Sequence, residues 1–331
     1  MKLRSLLAGA AMLALTQGAA FAQQDWKLVS AAQPGTPIFN FVEETVAKIN
    51  DGMKGVAKVD RVFVGSEQEI AQQIIRGRVV LGGISMAGLA PSVPEAALLT
   101  TPYLWNGNAE RDYVTDNHVL PVLRKIYEKK GLVLLKVSEV GWNDVVCKKA
   151  CLTPADVKGM KVRVGPSMAS KILWSAVGAN GVQMPLSELF PALQSGLVDA
   201  ADLPFPYYIT TPAAQSAPHY VLTNHLHHPS AFVANKAFWD KLTDAQRKVI
   251  MDAVPETARM RKEVDDSVKP KMADFKKNGG FIHELTPAQR EEWAKLIRPR
   301  QEEMLPVSGP DAKELWDVIQ KGKQSFAARG K

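Results

Sequence analysis

The sequence predicts an α/β protein built from two similar lobes with a cleft between them. Three observations predict it. Short apolar strands alternate with amphipathic helices, the pattern that builds a mostly parallel sheet. One unit, a helix stopped by glycine and followed at once by a short apolar strand, occurs twice: Gly77 leads into "RVVLGGIS" and Gly196 into "LVDAADLP". The 309 residues that follow the N-terminal address segment exceed what a single core ordinarily serves.

The elements follow in order. Residues 1–22 read as a signal peptide: Lys2 and Arg4 precede the apolar "LLAGAAMLAL", and Ala20-Phe21-Ala22 forms an A-x-A site with cleavage expected after Ala22. No later stretch approaches the ~18 apolar residues of a membrane span, so an exported, non-spanning chain is expected. "DWKLVS" reads as a strand, followed by a Pro/Gly turn that contains Gln33, then the amphipathic helix "FNFVEETVAKIND". "AKVDRVFV" is a second strand, and "SEQEIAQQIIRG" a helix from Ser66 with Glu69 completing a capping box. "RVVLGGIS" is a short buried strand. In "KGMKVRVGPS", Met160, Val162 and Val164 alternate with Lys161 and Arg163, a strand closed by Gly165-Pro166-Ser167. "SELFPALQSG" reads as a Ser-capped helix and "HHPSAFVANKAFW" as a strand. "LTDAQRKVIMDAV" and "LTPAQREEWAKLI" are helices opened by Thr-x-x-Gln boxes. The charged "PETARMRKEVDDSVKPKMADFKKNG" between them reads as a long helix interrupted at Pro270, able to brace both lobes. No Ser/Gly linker separates domains, so the chain is expected to cross between lobes. Lobe I is expected at 23–141 plus about 229–268, and lobe II at 142–228 plus about 269–331.

Composition removes several function classes. Hydrophobic residues make up 46% and charged residues 23% of the chain, the balance of a globular protein. The net charge of +7 is mild for this length, and the lysine runs carry no interleaved aromatics, so no nucleic-acid partner is expected. No phosphate-binding or dinucleotide glycine fingerprint occurs. His219, His225, His227 and His228 crowd one segment, but without neighbouring ligands they do not specify a metal site. No cofactor and no metal are expected. Cys147 and Cys151, in "CKKAC", read as a disulfide across a tight loop in an oxidising compartment.

Two side chains are candidates for chemistry. Gly83-Ile84-Ser85-Met86-Ala87 fits a relaxed nucleophile elbow, which would make the protein an exported serine hydrolase. No oxyanion loop accompanies it, and no Asp and His are marked as its partners, so Ser85 is read as a hydroxyl lining the cleft and no catalytic residue is assigned. Gly82, Gly83, Ala200 and Ala201 at the strand ends leave room for a ligand to approach the backbone. Aromatic residues after the second repeat, Phe205 and Tyr207 among them, are placed to wall that cleft. Arg163, near the end of its strand, offers a planar fork that fits a carboxylate. It serves equally as one half of an internal ion pair with Asp199 or Glu188.

The stretch "LTPADVKGMKVRVGPSMASKILWSAVGANGVQMPLSELFPALQSGLVDAAD" resembles the substrate-binding proteins of tripartite ATP-independent periplasmic (TRAP) transporters. Their pattern runs D-x-K-G-x-K-x-R-V, a G-A-x-P-x-P-M turn, S-E-x-x-x-A-L-Q-x-G, then V-D-G. "LAPSVPEAALLTTPYLW" and "TNHLHHPSAFVANKAFWDKLTDAQRKVI" resemble two further segments, so the likeness runs along essentially the whole mature chain. It implies the two-lobed periplasmic-binding-protein fold with a long helix spanning both lobes. It further implies a periplasmic receptor that is no enzyme and that delivers an organic acid to membrane permease subunits. A receptor for another transporter class, or for a sensor, would share the same lobes and cleft. By the resemblance Arg163 grips the substrate carboxylate, and Asn143, Trp142, Gln33, Ser85, Leu203, Phe205 and Tyr207 complete the expected ligand-binding set. Two positions depart from the pattern: Asn143 stands where many relatives carry a second arginine, and Leu203 where many carry an asparagine. With Trp142, Trp174 and Phe205 expected nearby, these departures predict a monocarboxylate with an apolar or aromatic body.

Overall fold

A computed structural model describes residues 23–329 except Gln33, Gly65, Ser66 and Pro166. The expected signal peptide and the expected Ser66 cap of the second helix lie outside the described residues. Nine strands form one sheet: β1 (Gln24–Ser30), β2 (Ala57–Phe63), β3 (Leu81–Ser85), β4 (Leu132–Cys147), β5 (Lys161–Val164), β6 (Asn180–Gln183), β7 (Ala200–Pro204), β8 (His219–Asn235) and β9 (Phe281–Glu284). The order is β2-β1-β3-β8-β4-β7-β5-β6, with β9 also paired to β8.

Two long antiparallel strands, β4 and β8, divide this sheet into two lobes. The parallel set β2-β1-β3 joins the C-terminal end of β8, where Leu81 to Ser85 pair with Ala234 back to Ser230. The set β7-β5-β6 joins the C-terminal end of β4, where Asn143 to Cys147 pair with Pro204 back to Ala200. Between these regions β4 and β8 cross from one lobe to the other. There the pairing slips, between Glu139 and Gly141 and again between Asn143 and Val145. Such irregularities bend a strand and raise its twist.

The long helix Thr257–Lys277 ties the lobes together. Met260 and Val264, in its first half, pack with Trp26, Leu28, Phe41 and Phe232 of the first lobe. Phe275, near its end, packs with Phe205, Tyr208 and Tyr220 of the second. The helix runs unbroken through Pro270, contrary to the interruption the sequence suggests. Pro270 is exposed, so water can satisfy the carbonyl that its missing N–H leaves free.

Three local expectations are corrected. The helix Leu186–Ser195 starts after Pro185, which places Ser187 inside the first turn rather than at the cap. The strand expected to run through "NKAFW" ends at Asn235, whose side chain accepts a hydrogen bond from Phe238 N and starts the helix Lys236–Asp240. The small residues at the strand ends serve packing instead of a ligand. A Cβ on Gly82 would lie 2.3 Å from Ile74 and one on Gly83 3.3 Å from Val42, while Ala200 and Ala201 are fully buried. Cys147 and Cys151 are bonded, and Gly77 and Gly196 take the left-handed conformation expected of helix-terminating glycines. Among the described residues no helix is long and apolar enough to cross a membrane.

Candidate ligand-binding cleft

A cleft of about 620 Å³ opens between the lobes. The first lobe contributes Glu67, Ser85 and Gly88, the second Arg163, Asp202 and Leu203, and the crossing strands Val140, Asn143 and His228. Of the expected ligand-binding residues, Arg163, Asn143, Ser85, Leu203 and Tyr207 line this space. Trp142 and Phe205 do not, and Gln33 lies outside the described residues.

Strand geometry accounts for the exclusion of Trp142. Successive side chains on a strand point to opposite faces, so Asn143 and Trp142 cannot both face the cleft. Trp142 faces the reverse side, where it meets His227 edge-on at 5.3 Å and donates to Asn108 Oδ1. Phe205 turns into the second lobe's aromatic core and packs edge-on against Tyr220 at 5.0 Å. Trp174 is also buried, but its indole N–H reaches the site indirectly by donating to Asp202 Oδ1 at 3.1 Å.

Arg163 sits on β5, a strand whose apolar partners Val162 and Val164 are buried. Its side chain is only 7% exposed, and its Nε donates to Met184 O at 3.2 Å. That bond holds Nε, and the residue lines the cleft. Gly165 lies close against the fork: a Cβ there would stand 3.3 Å from Nη1 and 3.5 Å from Nη2. Among the described residues no carboxylate comes within ion-pair distance of Arg163. Asp199, one of the two internal partners considered from sequence, pairs with Lys148 at 3.4 Å instead. Burial lowers the guanidinium's affinity for its proton, against the more distant negative charge of Asp202.

Asp202 organises the floor of the site. It accepts from Asn143 Nδ2 at 3.1 Å, Ser170 Oγ at 3.3 Å and Trp174 Nε1 at 3.1 Å, and His225 Nε2 stands 3.8 Å away. Burial alone would raise its carboxyl; His225, Arg163 and the Trp174 N–H outweigh burial and hold it well below the usual range. With its oxygens occupied by this shell, Asp202 acts on Arg163 through space and leaves the fork free.

Ser85 is engaged in structure. Its hydroxyl donates to Glu67 Oε2 at 2.6 Å and accepts from Gly88 N at 3.0 Å, capping the short helix Met86–Leu89. Its bonding partners are a carboxylate and an amide, and among the described residues no imidazole is joined to it, so the geometry of an activated nucleophile is missing there. Tyr207 stands half-buried at the rim, its hydroxyl pushed up to about 12 by burial.

Glu67, Asp202 and His228 line the cleft although none of them is among the ligand-binding residues expected from the sequence. The histidine cluster carried a signal for the last of them. His225 goes to Asp202 and His227 to Glu139, while His228, next in the strand, turns to the cleft. Distributing the four histidines over two faces would have separated His228 from His227.

A family model described as bacterial extracellular solute-binding protein, family 7, matches residues 28–306. A solute-binding protein of Verminephrobacter eiseniae is 30% identical over 256 residues, 76% of this chain and 76% of its own. A solved TRAP periplasmic solute-binding protein from Ochrobactrum anthropi superposes with a TM-score of 0.82 at 24% identity, covering 93% of this chain and 98% of that one. Another, from Roseobacter denitrificans with bound β-D-glucuronate, gives a TM-score of 0.81 at 22% identity, covering 90% and 99%.

Proposed function

Because the chain belongs to family 7 of the bacterial extracellular solute-binding proteins, the periplasmic receptors of TRAP transporters, we propose that it captures a monocarboxylate on Arg163. The protein is a receptor that works with membrane permease subunits, and it is not an enzyme. The single observation that supports the monocarboxylate reading is the state of Arg163. It is a buried guanidinium, bonded at Nε, close to Gly165, and free of any close carboxylate among the described residues. A desolvated cation of this kind gains most from a bidentate anion supplied by a ligand. One such fork, with asparagine at position 143, favours one carboxylate over two. The Roseobacter denitrificans protein's ligand, β-D-glucuronate, is likewise a monocarboxylate.

Val140, Met168, Leu186, Leu203 and Met304 form an apolar wall for the body of the acid. The closing units are the two lobes, with the boundary crossing β4 near Gly141 and β8 near His228. Closure needs only that the ligand bind the closed arrangement better than the open one. We assign the mature N-terminus to Gln23, after cleavage following Ala22, a placement that intact-mass measurement of the secreted protein tests.

Melting the mature protein against acids and their amides tests the ligand class. Ligand at ~100 times its dissociation constant adds about 2.7 kcal/mol of stability, enough for a clear upward shift. Monocarboxylates should raise the melting temperature, while their amides should leave it unmoved. Equal shifts from acid and amide would refute the assignment to Arg163.

A further inference from the structure

A second cavity, of about 520 Å³, lies on the face of the sheet opposite the cleft and shares no lining residue with it. Strand alternation places it there: Trp142 and Asp144 line it, while Asn143 between them lines the cleft. Gly141, where β4 crosses between the lobes, lines it as well. The long helix Thr257–Lys277 covers it with Val264, Val268 and Met272, a single apolar stripe at four-residue spacing. Its walls belong to both lobes, since Val264 packs in the first lobe's core and Phe205, Leu222 and Met272 pack in the second's. The charged groups beside this apolar surface are unevenly engaged. Asp265 accepts from Asn108 Nδ2 at 2.9 Å. Asp144 accepts from Asn224 N at 2.7 Å and from the Tyr220 hydroxyl at 3.0 Å, and burial pushes its carboxyl up to about 7, so its charge yields to an arriving anion. Arg290 makes two long bonds, from Nη2 to Asn224 O at 3.3 Å and to Trp105 O at 3.5 Å, and its guanidinium lies over the Tyr103 ring. Its Nε and Nη1 donate to nothing among the described residues, and neither is shielded from solvent. Neither Arg290 nor the exposed Lys269 has a carboxylate within ion-pair distance among the described residues.

We infer that this reverse-side cavity is a regulatory site for an amphipathic organic anion, whose head meets Arg290 and whose apolar chain lies beneath the helix stripe. The occupant is not the cargo and does not touch Arg163. The charges select an anion. Both carboxyls already accept hydrogen bonds, whereas the open donors are cationic, and a guanidinium takes a carboxylate or sulfonate on two parallel N–H groups. The stripe selects a chain, because each methylene it buries strengthens binding roughly fourfold. Geometry couples the site to the cleft, on the lobe boundary proposed above. The lobes close about the crossing near Gly141, and the cavity sits behind that crossing with a wall on each lobe. Closure in front changes the spacing behind, so an occupant fitted to the present spacing favours the open arrangement. By linkage, anion and cargo then weaken each other's binding by the same factor.

Calorimetric titration with octane-1-sulfonate tests the site in the mature Arg163→Met protein, where the cleft's clamp is gone. The sulfonate should bind at a single site, and butane-1-sulfonate should bind at least about tenfold more weakly. Adding Arg290→Met should weaken octane-1-sulfonate at least about tenfold, and Arg290→Lys, which keeps the charge, should weaken it less. Val268→Asp, which puts a carboxylate into the stripe and leaves Arg290 in place, should abolish binding. No binding to the Arg163→Met protein would overturn the site, as would binding that both Arg290→Met and Val268→Asp leave untouched. Coupling is read with Arg163 intact. There the sulfonate should weaken binding of the best acid from the melting panel several-fold, and Arg290→Met should remove that effect. Competition inside the cleft would persist in Arg290→Met; that result, or an acid affinity the sulfonate leaves unchanged, would overturn the regulatory role. A panel in which no acid binds would refute the monocarboxylate reading, while the sulfonate titration by itself still decides the cavity.

Discussion

Replacing Arg163 with methionine separates two roles that a buried guanidinium can have. Methionine keeps the apolar stem and approximate length, so the site stays filled, but it removes the charge and the fork. If Arg163 were half of an internal ion pair, the change would strand a buried carboxylate and cost about 3–5 kcal/mol of folding stability. The geometry predicts otherwise. Arg163 gives up one hydrogen bond, to Met184 O, and its through-space attraction to Asp202, which the burial of its own charge offsets. Asp202 keeps its bonds from Asn143, Ser170 and Trp174. The ligand-free Arg163→Met protein should thus unfold within about 1 kcal/mol of the wild type, the worth of one ordinary hydrogen bond. Its affinity should fall by about 2–5 kcal/mol, the cost of truncating one partner of a desolvated charge pair. That corresponds to a dissociation constant weaker by roughly 30-fold to several thousand-fold. Urea unfolding without ligand and calorimetry with the best acid of the panel read the two quantities separately. Unchanged affinity in a folded variant would refute the clamp, and a stability loss of several kcal/mol would make Arg163 a structural residue.

Three further outcomes follow from the same structure. Gly165→Ala places a methyl against the guanidinium, 3.3 Å from Nη1, and should weaken acid binding several-fold while leaving the urea midpoint unmoved; wild-type affinity would show that the fork adapts freely. At the crossing of β4 and β8, buried Glu139 meets His227, accepts from Arg261 Nε at 3.0 Å and lies 3.8 Å from Arg111. Burial would raise its carboxyl, but His227, Arg111 and Arg261 hold it at about 2 against an ordinary 4.5. Glu139→Gln should destabilise the fold at pH 7, where burial keeps His227, itself lowered to about 4, neutral and Arg111 and Arg261 supply the opposing charge. Because the folded pKa is depressed, this contribution is complete above pH 4.5 and disappears as pH falls through 2, so the gap between variant and wild type in urea should close over that window. A gap that persists unchanged to the acid end would place its origin in packing. The disulfide spans four positions, for which loop entropy gives about 2 kcal/mol. The double Cys147→Ala/Cys151→Ala variant should lose about that much in urea unfolding without losing acid binding.

Much of the fold and part of the site were legible in the sequence because they depend on local signals. Strand and helix periods, glycine stops and Thr-x-x-Gln caps are short-range chemistry, and Thr243 and Thr286 cap their helices as read. The family-wide pattern around Arg163 likewise lies in one continuous stretch, and so does the close cysteine pair. Facing was harder to read. Trp142 and Asn143 are adjacent in sequence, yet strand alternation sends one to the reverse side and the other to the cleft. Phe205 follows the same strand end that supplies Leu203, but the aromatic core built by Tyr220 and Phe275 takes it inward.

By itself, then, the sequence determined that this is a two-lobed α/β receptor with an arginine presented at a strand end. Which polar atoms converge on the ligand was decided only by the tertiary structure. Asp202, Asn143 and His228 come from three different strands, and they meet because β4 and β8 cross with slips in register. No local pattern encodes such a slip, since it depends on how distant strands twist and pair. The same crossing leaves Asn143 Oδ1 and both ring nitrogens of His228 buried and without a hydrogen-bond partner among the described residues.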